Sequence, residues 1–94
     1  MVENYTPIAN ENAQRLAALS TLFCRKNGIP ATPDLVSVLS NAVLEGIANW
    51  YAERGRTFDP KTERIENDAI VEAFARAQIV VYAASLYAMA EIGI

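Results

Sequence analysis

Three times along the chain a side chain that accepts hydrogen bonds is followed at once by proline: Thr6-Pro7, Thr32-Pro33 and Asp59-Pro60. Such a side chain suits the N-cap of a helix, where it satisfies a free N–H of the first turn. Proline suits the next position, where no N–H is needed and φ is already set. Three helix starts are therefore written into 94 residues. The stops agree with them. Asn27-Gly28-Ile29-Pro30 supplies a glycine for a left-handed cap, then an apolar residue and a proline, and Arg54-Gly55 repeats the glycine. Arg25, Lys26 and Arg54 fall in last turns, where a cation complements the helix dipole. The pattern predicts helices over 7–26, 33–54 and 60–92, forming an all-α, three-helix bundle-like single domain over residues 1–94.

Periodicity gives each helix an apolar face. Ala9, Ala13, Leu16, Leu19 and Phe23 recur at steps of three and four, as do Val36, Leu39, Val43, Ile47 and Trp50. Ser37, Ser40, Asn41, Glu45, Asn49 and Glu53 make the polar side of the second helix. The third begins alike, with Ile65, Ile70, Phe74, Ala77, Val81, Ala84 and Ala88 on one stripe and Glu66, Asp68, Glu72 and Arg76 off it. Beyond Arg76 the polar side disappears.

From Ala77 to Ala90 fourteen residues pass without a charge. That is short of the roughly 20 needed to cross a bilayer, so a membrane is not an expected partner. A helix that is apolar all round has to be enclosed on most sides, and two neighbours from the same chain cover only part of it. Eight alanines between Ala69 and Ala90 permit another helix to approach closely, while Tyr82, Leu86, Tyr87 and Met89 add bulk. The expectation is a homo-oligomer, either a C2 dimer or a higher ring, with Val80, Ala84, Tyr87, Ala88, Met89 and Ile92 in the interface.

Catalytic tools are scarce. Histidine is absent, which removes the usual general base, the usual partner of a nucleophile and the commonest metal ligand. Cys24 then has nothing to activate it and reads as a small core residue. The four glycines are isolated, so there is no phosphate loop, and Gly46 in mid-helix marks close packing against the alanines of the third helix. Glu45, Glu53, Glu63, Glu66, Asp68 and Glu72 lack the tight pairing of a metal site and read as a solvated face. No catalytic residue, metal or cofactor is expected. Eight Lys and Arg against eleven Asp and Glu leave a net charge of -3, which gives no general attraction to nucleic acid or anionic lipid. A lone cysteine and the lack of a signal-like leader point to a reducing cytoplasm.

Half of the basic residues, Arg54, Arg56, Lys61 and Arg64, crowd into the stretch ERGRTFDPKTER around Phe58. Arg56 and Lys61 are placed to meet an anion near a helix N-terminus, although Glu53, Asp59 and Glu63 cut the local excess to +1, and a salt-bridged loop is the plainer reading. In a chain of this length, Tyr5 and the AASLYA of Ala83–Ala88 resemble the helical hairpin of phage proteins that sequester cyclic nucleotides. The basic residue expected in that family's last helix is missing, with Met89, Ala90 and Glu91 in its place. The resemblance implies a helical oligomer that binds a small anionic ligand, with Tyr5 and Tyr51 stacking on bases and Arg54, Arg56, Lys61 or Arg64 holding phosphates. The reading favoured by the residues themselves is a small non-enzymatic helical oligomer that binds another protein, an adaptor or inhibitor of the size that phages and mobile elements encode.

Overall fold

A computed structural model describes residues 7–91 as three helices, α1 (Pro7–Lys26), α2 (Pro33–Ala52) and α3 (Asn67–Glu91), with no strand among the described residues. Thr6, Tyr5 and Ile92 lie outside the described residues. Thr32 caps α2 as its sequence implies: its hydroxyl accepts from Leu35 N–H at 3.2 Å, with Pro33 just inside the helix. Two closures of the same kind end α1 and α2. Ile29 N–H donates to Cys24 O and Gly28 N–H to Arg25 O, while Arg56 N–H donates to Tyr51 O and Gly55 N–H to Ala52 O. Gly28 and Gly55 sit at φ +69 and +70, the left-handed region that this closure needs and that glycine enters without strain.

The third start differs from expectation. Asp59-Pro60 opens a single helical turn, and α3 begins only at Asn67. Asp59 O accepts from the N–H groups of Thr62 and Glu63, Asp59 Oδ1 from Lys61 N–H, and Glu63 Oε1 from Asp59 N–H, so the local cap forms as its residues dictate. Side chains from the other helices then stop it. Asn12 Nδ2 donates to Pro60 O at 2.9 Å and to Glu63 O at 2.7 Å, the carbonyls that Arg64 and Asn67 N–H would use if the helix continued. Asn12 Oδ1 accepts from Ile65 N–H, Tyr51 Oη accepts from Glu66 N–H, and Arg15 donates to Ile65 O and Asn67 Oδ1. Ile65 is thereby held 1% exposed beneath the turn. Tertiary hydrogen bonds here displace the local helix preference.

Contacts between α1 and α3 keep a steady register: Arg15 with Asn67, Phe23 with Phe74, and Asn27 with Gln78. The two helices therefore run parallel. α2 returns against both, as shown by the Ser40–Ser20 hydroxyl bond and the approach of Gly46 to Ala73. One core joins Leu16 of α1, Val43, Ile47, Trp50 and Tyr51 of α2, and Ile65, Ala69, Ile70 and Ala73 near the start of α3. Cys24 is buried, as is Ser20, whose hydroxyl is met by Ser40. α1 and α2 are spent on this core, and α3 is not. Its buried residues stop at Ala73, and α1 ends at Lys26, which the register sets level with Ala77. The radius of gyration, 15.4 Å, exceeds the roughly 12 Å of a compact domain of this length.

Candidate interaction surface

The first half of α3 packs on α2 through small residues. A Cβ placed on Gly46 would stand 3.6 Å from that of Ala73, so the helices approach closely there, as the mid-helix glycine implies. Toward the C-terminal end of α3 the facing residues become progressively exposed: Leu39 is half-buried, Leu35 is 42% exposed and Val80 is 66% exposed. The parting leaves an apolar groove of about 340 Å³, walled by Leu39, Ala42 and Gly46 on one side and Ala77, Val80 and Val81 on the other, with Arg76 at its rim.

The groove runs onto a helix end that has no neighbour among the described residues. No residue from Ile79 to Glu91 is buried, and Tyr82 and Tyr87 are 64% and 71% exposed. Ile79, Leu86 and Met89 are exposed around the same cylinder. Of the interface residues expected from sequence, Val80, Ala84, Tyr87, Ala88 and Met89 all lie on this bare end, and Ile92 is beyond the described residues. One stripe connects the packed and bare halves. Ala73, Ala77, Val80, Ala84, Tyr87 and Glu91 follow at alternating steps of four and three, the spacing that keeps a seam turned toward a partner helix.

An 18-residue window of α3 has mean hydropathy 1.4 and at most two charges, enough by length and composition for a helix that crosses a membrane. A core helix of a soluble protein meets the same test when mostly buried, whereas 17% of this window is buried. The charge-free run between Arg76 and Glu91 spans about 21 Å at 1.5 Å per residue, against about 30 Å of hydrocarbon.

The basic stretch is bound up in its own structure. Arg54 lies 3.7 Å over the Trp50 ring and donates to Trp50 O, Arg56 pairs with Glu66 at 2.8 Å and covers the Tyr51 ring, and Arg64 pairs with Glu11. Tyr51 is 2% exposed and stacked on Phe58, with ring centroids 4.4 Å apart, so its faces are taken. Lys61 also makes an intramolecular contact. Tyr5 is outside the described residues; of the remaining five candidates, Arg64 lines one surface hollow with Glu66 and Asp68, and Arg54 lines another with Asp68 and Glu72. Among the described residues no cluster of three His, Cys, Asp or Glu side chains is spaced to hold a metal ion.

What sequence reasoning missed is the role of Asn12, Arg15 and Gln78. All three are polar residues on or beside apolar stripes, and only the full fold shows which backbone or side chain each one meets. Fold and surface together define an all-α three-helix chain with one uncovered apolar helix end. Comparison with family models, curated proteins and solved structures returned no match.

Proposed function

We propose that this chain acts by protein–protein association and not by catalysis. It self-associates through the end of α3 and offers its remaining surface to another protein, as a small cytosolic adaptor or inhibitor. One observation carries the reading: thirteen consecutive helical residues, 79–91, with no buried member and five large apolar side chains at least half exposed. Exposed apolar surface of that extent marks a binding face. The anion-binding alternative has no observation of comparable weight, since its arginines are engaged within the chain.

The test is solution mass by light scattering on a sizing column. A mass at twice 10.3 kDa or a higher multiple is expected. Ala84→Glu and Tyr87→Glu should both return it to 10.3 kDa, because each leaves an unpaired charge in a dry interface. Both positions are exposed in the single chain, so the variants should keep their helical circular dichroism. A wild-type monomer at working concentration would refute self-association.

A further inference from the structure

We infer that the second occupant of the groove and of the bare helix end is α3 of another copy, lying antiparallel to α3 about a two-fold axis near Ala84. The inference rests on the association reading above and adds its geometry. Three observations meet at one register. Arg76 and Glu91 are opposite charges that bound the uncharged run, and the midpoint between them falls in the Ala83-Ala84 pair. An antiparallel partner centred on Ala84 sets Glu91 of the second copy level with Ala77, one residue from Arg76, and the symmetry repeats the contact at the other end. A parallel pair would instead set Arg76 against Arg76 and Glu91 against Glu91.

Arg76 has room for this partner. Its bridges to Glu72 at 2.9 Å and Glu53 at 3.6 Å both use Nη2, and Glu53 is shared with Arg54. Two arginines and two glutamates make that cluster neutral, so a third carboxylate meets no net repulsion. The second observation is size. Ala84 lies on the stripe at the crossing point, where a small side chain lets helices approach to about 8 Å.

Third, the same register brings Tyr87 of the second copy level with Val81, where α2 and α3 part. A ring there lies in the mouth of the groove between Leu39, Ala42, Ala77 and Val80, and each tail meets two helices of the other copy. On this stripe the large apolar residues are Val80 and Tyr87, 66% and 71% exposed, and they present roughly 200 Å² in one chain, taking about 200 Å² for a whole tyrosine and about 100 Å² for an aliphatic side chain. The apolar lining of the groove adds to this.

The test uses single cysteines in the full chain: Ala77→Cys, Ala84→Cys and Glu91→Cys. All three positions are not buried, and Cys24, 2% exposed, serves as the unreactive background in wild type. Under mild oxidation Ala84→Cys should link to itself, Ala77→Cys alone should not, and an equimolar mixture of Ala77→Cys and Glu91→Cys should give a linked dimer on a non-reducing gel. Self-linking of Ala77→Cys would establish a parallel pair and overturn the inference while leaving self-association intact. So would failure of the mixture to link in a protein whose wild-type mass is dimeric. A monomeric wild-type mass would overturn both.

Discussion

Asn12→Ala should be the most damaging single truncation of a polar side chain in this molecule. The amide is 3% exposed and makes three bonds, to Pro60 O, Glu63 O and Ile65 N–H. Removing it strands three backbone groups, one from a buried bond and two from part-buried ones, and a group left buried and unpaired costs about 1 to 3 kcal/mol. Taking the lower end for each, the loss is about 3 kcal/mol out of the roughly 5 to 14 kcal/mol available to a domain of this length. Urea unfolding followed by Trp50, itself 6% exposed, reads the change directly. At an m-value of about 1.5 kcal/mol/M the midpoint falls by about 2 M. Thermal melting falls by about 12 to 24 °C. Both are compared with wild type at one protein concentration, since association stabilises by mass action. The reasoning fails if the loss is below about 1 kcal/mol while far-UV ellipticity rises. In that case Pro60–Glu66 has simply joined α3, its carbonyls bonded as in any helix, and packing rather than Asn12 is what stops the helix there.

Other outcomes follow from single contacts. Gly46→Ala should stabilise by about 0.5 to 1 kcal/mol, read by thermal melting, because the new methyl meets Ala73 Cβ at an ordinary 3.6 Å and the helix gains propensity. Gly28→Ala should cost about 1 kcal/mol in the same assay; open space surrounds it, so the cost comes from φ +69 alone. Tyr51→Phe keeps the stack on Phe58 and removes the acceptor for Glu66 N–H, which should cost about 1 kcal/mol in urea unfolding with association unchanged.

Helix starts and stops were legible wherever the deciding groups are neighbours in sequence. Thr32 and Pro33 act within one turn, as do Gly28 and Gly55, and the structure follows them to within two residues, α2 ending at Ala52 with Arg54 just beyond its last turn. Asp59-Pro60 was legible as a local cap too, and the cap forms. What cannot be read locally is that Asn12 and Tyr51, far along the chain, take the backbone groups a continuing helix would need. The bare end of α3 was foreseeable for a different reason: enclosure is a matter of counting neighbours, and a three-helix chain has too few for a helix apolar on every side. Ser20 and Ser40 mark the opposite limit. Each reads as polar surface, and their mutual hydroxyl bond is what lets Ser20 lie inside.

The bonds of Asn12 reach 48 to 53 residues along the chain. Closing so large a ring costs more chain entropy than pairing α1 with α2 or α2 with α3 across connections of 6 and 14 residues. The two hairpins are therefore the early events in folding and the Asn12 latch a late one. During synthesis it stays open until residue 65 has emerged. A group that engages after the rate-limiting step leaves the folding rate nearly untouched and sets how fast the protein comes apart. Asn12 should accordingly govern the lifetime of the folded chain far more than the speed at which it is made.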